Sequence, residues 1–452
     1  MSAPEAPLRY REIFRTWWPL AGSWLLMGFE LPLVAAVLAR LADPSIHLAA
    51  YGGVVFPVSL MIEGPIIMLL AASTALSRDL QAYRLIRRFM NGAGLALTLV
   101  HATVAFTPLY DVVVAGWMGA PKEILAPARL GLMIMTPWTW SIAFRRFQQG
   151  VLIRFGHSRA VAVGTVVRLA TMVTVLSVGY LIGTLPGIVV GTSAVACAVL
   201  MEATVIGLWV RRVVSAHLKD RLPPAEPLEL KRFLFFYAPL ALTPLITLTA
   251  QPISSASVSR MPLAVESLAV IPVLNGLSFL LRSVGFSYNE VVVALLDRPE
   301  ALIRLRRFAG LIALGTTSLL LLFALTPLGS FYFATLVGLD ASLDGLALRG
   351  LWLILLMPAL AVGLHFFQGI LVYTHRTVAV TEAVALNFAV MVLLLLAGVR
   401  YGAVTGLFVA LGAHLTGNIV QTGWLWYRGQ GARRALGNPA PAVEPPPPDL
   451  LP

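Results

Sequence analysis

The chain is 452 residues long, 58% hydrophobic and only 12% charged, with a mean hydropathy of +0.84. Soluble domains carry about 25% charged residues, so the composition excludes a soluble globular protein and describes a polytopic membrane protein. The net charge of +12 follows membrane topology rather than nucleic-acid binding, and the single cysteine, Cys197, excludes an intrachain disulfide and a cysteine-based metal cluster.

Residues 1–15 form a polar, cytoplasmic N-terminal start with Arg9, Arg11 and Arg15. Crossing a bilayer takes about 20 apolar residues, and stretches of that kind follow at 16–39, 48–76, 89–109, 129–153, 160–182 and 187–210. The first is too long for the apolar part of a signal peptide and contains Glu30, so it reads as a retained span. A charged linker, 211–232, holds Pro223, Pro224 and Pro227. Six further spans follow at 235–259, 267–296, 308–328, 350–373, 377–398 and 403–427. The expected fold is therefore all-α, with twelve transmembrane helices in two units, 16–210 and 233–428. The remaining tail, 429–452, is proline-rich from Asn438 to Pro452 and is expected to be disordered.

The two units repeat one another. Pro19 to Arg40 aligns without gaps on Pro239 to Arg260 at an offset of 220, with Pro19/Pro239, Leu20/Leu240, Ala21/Ala241, Leu25/Leu245, Pro32/Pro252, Ala36/Ala256 and Arg40/Arg260 identical. Arg87-Arg88-Phe89 recurs as Arg306-Arg307-Phe308, Thr107-Pro108-Leu109 as Thr326-Pro327-Leu328, and Phe147-Gln148-Gln149-Gly150 as Phe366-Phe367-Gln368-Gly369, all at an offset of 219. Six spans per repeat is an even number, so the copies have the same orientation and form parallel repeats about an axis along the membrane normal. Pro32 and Pro252 each free backbone carbonyls inside a span, which predicts bent first and seventh helices. A bent, polar-lined helix in both halves points to a substrate pathway between them.

Lys and Arg give the orientation. With the N-terminus inside, 23 of the 33 fall on inside segments, six on outside segments, among them Arg40 and Arg260, and four within spans. Both termini are thus expected in the cytoplasm, in a multi-pass protein of the cell (inner) membrane. The expected partners are the bilayer and a small anionic or amphipathic substrate, with no nucleic acid, and the chain is expected to be a monomer.

A charge at the bilayer centre costs at least about 2.5–3.5 kcal/mol, so the in-span charges mark a protein interior or water cavity. Arg145, Arg146 and Arg168 sit at one depth, roughly 12–14 Å from the inner end of their spans, and Arg282 lies nearer mid-span. They read as anion-binding groups, since guanidinium forks match phosphate and carboxylate. The alternative is that they snorkel or pair with Glu202, Glu290 or Glu382. Arg146 aligns with His365, which places a basic group at matching positions of both halves. Gln251, Gln149 and Gln368 complete the candidate substrate set, with helix packing the competing reading for the two that precede glycines. Glu30 and Glu63 are candidate ion-coupling carboxylates, for H⁺ or Na⁺, against a structural hydrogen-bonding role. His101, His414 and Asn418 read as core hydrogen-bonding residues. No phosphate loop, HExxH or GxSxG motif is present, no cofactor or metal is expected, and the chain is not read as an enzyme.

The repeated Thr-Pro-Leu end of the third and ninth spans, the Phe-Gln-Gln-Gly of the fourth and its copy, and the bent first and seventh helices resemble the MATE-like MOP exporter superfamily over about 12–428. Tyr51-Gly52 through Gly64-Pro65, Phe236-Tyr237-Ala238-Pro239-Leu240-Ala241 and Pro272-Val273 are similar to its progressive ankylosis branch, linked to export of pyrophosphate and organic anions. The resemblance implies an N-lobe and a C-lobe that rock about a central cavity by alternating access. It also implies an acidic coupling residue in the first span, for which Glu30 is the nearest match. The expected function is secondary export of an anion. A multidrug or cation antiporter and a lipid-linked oligosaccharide flippase are the transport alternatives, and an integral-membrane enzyme acting on lipid-linked substrates is the alternative from another class.

Overall fold

The structure is a computed structural model that describes residues 8–218, 228–374, 376 and 378–437. Among the described residues every regular element is helical. In chain order the long segments are α1 (Tyr10–Leu38), α2 (Pro44–Leu76), α3 (Leu80–Phe106), α4 (Lys122–Arg154), α5 (Ser158–Ile182) and α6 (Gly187–His217). The second half has α7 (Leu230–Val258), α8 (Ala264–Leu295), α9 (Ala301–Leu325), α10 (Ala341–Tyr373), α11 (Val378–Tyr401) and α12 (Gly406–Arg428). Ten of these are long and apolar enough to cross a membrane. The other two, α4 and α12, fall where the fourth and twelfth spans are expected but are not among those ten, so the count of twelve is not confirmed. Short π-helical turns, Asp111–Trp117 and Phe331–Val337, precede α4 and α10 at matching points of the repeat.

The first span is broken as its proline requires. It consists of Tyr10–Gly28 and Glu30–Leu38, with the break one turn ahead of Pro32, whose missing N–H leaves the Gly28 carbonyl without its helical donor. The seventh does not follow: α7 is unbroken from Leu230 to Val258 through Pro252. The polar linker yields to helix at both ends, since α6 runs on to His217 and α7 begins at Leu230, while 219–227 lies outside the described residues. Part of the tail expected to be disordered is also helical. Helix α13, Gln430–Gly437, buries Ala432 and packs Leu436 among Leu305, Ala309 and Phe366; residues 438–452 lie outside the described set.

The sequence repeat reappears as exchanged contacts between the halves. Arg40 donates to the carbonyls of Val337 (2.6 Å), Leu336 (2.6 Å) and Thr335. Its counterpart Arg260 donates to those of Met118 (3.0 Å), Trp117 and Gly116 (3.4 Å). Each arginine thus satisfies the last carbonyls of the short π-helical turn in the opposite half, where free acceptors and the negative helix end favour a cation. At the end of the bundle that holds the N-terminus, Trp17 Nε1 donates to the Val284 carbonyl (2.9 Å) and Tyr237 OH to that of Pro65 (2.5 Å). Those donors are 220 residues apart and their acceptors 219. The repeated glycines Gly150 and Gly369 also have one job. A Cβ on Gly150 would stand 2.4 Å from the Leu70 carbonyl oxygen, and one on Gly369 would stand 3.0 Å from that of Asn289, so each lets α4 or α10 pack closely on the preceding half-helix.

Candidate functional site

A cavity of about 430 Å³ opens where the two halves meet. The break in α1 presents Glu30 to it, and α2 presents Tyr51 and Glu63. Helix α4 supplies Arg145 and Arg146, and α5 supplies Arg168. From the second half come Gln251 of α7, Asn275 and Arg282 of α8, and His414 and Asn418 of α12. Close packing of backbone shapes its wall. Residues Ala50–Val55 form a π-helical turn in which a Cβ on Gly52 would fall 2.4 Å from Pro272 of α8. Gly276 in turn lies against Pro32, with its Cβ position 3.1 Å from the proline ring. The broken helix and the second span are thus both seated on α8.

The charged groups divide into paired and unpaired. Glu202 of α6 is fully buried and accepts from Arg145 (2.8 Å) and Gln149 (3.0 Å), with Arg168 Nε 3.5 Å away. Arg168 also pairs with Glu30. The chain Glu30–Arg168–Glu202–Arg145 links four helices, and each low-dielectric charge in it is offset by its neighbour. Glu63 is buried beside the Gly64-Pro65 break and lines the cavity with Arg146. Three glutamates therefore face three arginines in the first half, which is formally neutral. Arg282 adds one positive charge from the second half. Among the described residues it makes no ion pair, and its guanidinium lies 5.6 Å from the Phe286 ring centre. Among the described residues Arg146 likewise makes no ion pair, and the Nε of each of the four arginines has no hydrogen-bond partner.

The structure thus gathers seven of the ten expected site residues around one cavity: Glu30, Glu63, Arg145, Arg146, Arg168, Gln251 and Arg282. Three stand outside its lining. Gln149 is spent on Glu202, and Gln368 is half-buried. His365 packs edge-on against Phe286, 5.4 Å between ring centres. His101 is a core residue, held by Thr139 Oγ1 (2.9 Å) and the Leu132 carbonyl (3.0 Å). His414 and Asn418, expected in the core, line the cavity instead. Tyr51 and Asn275 also line it and were not singled out; an asparagine in the middle of an apolar span was the available signal for the latter. Among the described residues no three His, Cys, Asp or Glu stand together as a metal site.

The chain matches no protein-family profile and no curated protein sequence. Solved structures do match it. An inward-facing multidrug resistance MATE family transporter of the MOP superfamily superposes with a TM-score of 0.68 at 19% identity, covering 92% of this chain and 96% of that one. The lipid II flippase MurJ in an inward closed conformation gives 0.67 at 15% identity, with 91% and 87% covered. An outward-facing MATE family transporter gives 0.54 at 17% identity, with 96% and 100% covered. These matches do not bear out the finer resemblance to the progressive ankylosis branch. The chain is a multi-pass membrane protein with the fold of the MATE-like transporters of the MOP superfamily.

Proposed function

We propose that the protein is a secondary transporter that moves a small anion, such as pyrophosphate or an organic anion, by alternating access across the cell (inner) membrane, with both termini in the cytoplasm. The observation that carries this reading is the pair of guanidinium groups, Arg146 from one half and Arg282 from the other, that line one cavity without ion-pair partners among the described residues. An anion bound between them would bridge the halves and offset the charge that Arg282 leaves unbalanced. The paired groups supply a coupling device. Glu30 and an arriving anion compete for Arg168, so protonation of Glu30 releases Arg168 to the substrate. The expected coupling ion is H⁺ or Na⁺. The bonds that Arg40 and Arg260 make across the halves support a state closed at the face opposite the termini. A higher TM-score with an inward-facing than with an outward-facing relative supports the same reading.

A second reading, a flippase for a lipid-linked diphosphate, is favoured by the likeness to MurJ and by the same two arginines. A cation antiporter fits less well, because Glu30 and Glu202 are already engaged by arginines.

Flux into proteoliposomes tests the proposal, with pyrophosphate and citrate compared with a cationic dye, with and without a pH gradient. Arg282→Gln is expected to abolish anion flux, and Glu30→Gln to leave flux that no longer responds to the gradient. Dye flux that survives Arg282→Gln but not Glu30→Gln would overturn the anion reading.

A further inference from the structure

A second pocket, of about 560 Å³, lies at the end of the bundle where α9 begins and α12 ends, away from the central cavity. Helix α13 builds it. Ala432 and Leu436 dock α13 on the apolar cluster around Leu305 and Phe366, and the helix period then places Arg433 and Arg434 beside Arg306 and Arg307 of α9. Arg433 is fixed in place by the Trp426 carbonyl (2.8 Å), by the Phe367 ring (5.2 Å) and by the Trp426 ring (5.5 Å). Gln430 and Trp426 complete the wall, and among the described residues no Asp or Glu lines it.

Four guanidinium groups in one concave site repel one another, and among the described residues no carboxylate in the lining offsets them. Burial, and after it the charge of Arg306, lowers the Arg433 guanidinium from its ordinary value. Arg306, Arg307 and Arg434 are exposed and screened by solvent, and a multiply charged anion seated among the four would gain from all of them. Planar forks that donate in pairs select phosphate oxygens. The lining includes exposed apolar side chains, Ile303 at 56% and Trp426 at 47% exposure.

We infer that the α9–α13 pocket binds a phosphate-bearing anion at the end of the bundle where α9 begins and α12 ends, separately from whatever the central cavity carries. A phosphate group can reach it from a lipid headgroup or from solution, and basic pockets between helices at a membrane surface are suited to anionic headgroups.

Native mass spectrometry of the delipidated full-length protein tests this. Phosphatidylglycerol, phosphatidylcholine and inorganic phosphate are titrated separately into wild type, into Arg306→Gln/Arg307→Gln/Arg434→Gln, and into Arg434→Gln alone. Arg433 is left intact because it holds α13. Phosphatidylglycerol should bind wild type more tightly than phosphatidylcholine, and affinity should fall about fivefold for each arginine removed. Binding of inorganic phosphate with the same dependence on arginine, but no preference for phosphatidylglycerol, would support the site with a soluble source. Equal binding of the two lipids with no phosphate binding, or unchanged affinity in the triple and single variants, would overturn it. The single change is at an exposed residue, so it keeps the test valid if the triple variant does not fold.

Discussion

Removing the Arg40 and Arg260 guanidinium groups should open the face of the protein opposite its termini. Each arginine donates to three carbonyls of the opposite half, so separating the halves at that face would break these bonds. Hydrogen bonds to charged groups contribute about 1.5–3 kcal/mol, but solvent screening at this partly exposed site reduces each clasp to about 1 kcal/mol. Losing both shifts the equilibrium by about 2 kcal/mol, or roughly 30-fold. A protein with about 1% of molecules open at that face would rise to about a quarter. Spin labels at Ala42→Cys and Leu263→Cys, in a Cys197→Ser background, report the separation of the halves by electron–electron resonance. Arg40→Ala/Arg260→Ala should add a longer distance population, and Arg40→Lys/Arg260→Lys should add less. If the double alanine variant melts at a lower temperature but keeps the wild-type distance distribution, the arginines only cap helices and the gating argument fails.

Three further outcomes follow from the packing. Glu202→Ala strands Arg145 and should cost about 3–5 kcal/mol, read as a large drop in melting temperature; Arg145→Met/Glu202→Leu, which removes the charge with its partner, should recover most of it. Gly150→Ala and Gly369→Ala should each destabilise by about 1–3 kcal/mol through overpacking, and denaturation that spares either one would show that the close approaches relax. Asp340 caps α10, and the backbone N–H of Leu343, then the Ser342 hydroxyl, hold its carboxyl below the usual carboxylate range. The cap's contribution is present above the ordinary value of about 3.9 and lost as pH falls through the lower folded value. Asp340→Ala should cost about 1 kcal/mol at neutral pH and flatten the acid side of the melting-temperature profile.

Much of the site was legible because charge inside an apolar span is costly, and evolution leaves it only where something faces it. That argument found Glu30, Glu63 and all four arginines. It failed to rank them. Arg145 and Arg168 look no different from Arg146 and Arg282 along the chain, yet two are consumed by Glu202 and Glu30 and two are not. For Gln149 and Gln368 the sequence offered two readings, substrate contact and helix packing, and did not decide between them. Both precede matching glycines, but the glycines serve packing, and the fate of each glutamine depends on what its own half places opposite it.

By itself the sequence determined the membrane class, the helical content, the repeat and the break ahead of Pro32, because composition, period and a missing N–H act locally. It did not determine that α7 stays unbroken through Pro252, since the surrounding packing decides whether freed carbonyls are tolerated. Nor did it reveal that Arg40 and Arg260 reach across to each other's halves. The offset of 220 made them equivalent, but only the parallel placement of the two repeats turns equivalence into exchange. The basic pocket of α9 and α13 has the same origin: two arginine pairs more than a hundred residues apart become one site when Ala432 and Leu436 find their place in the core.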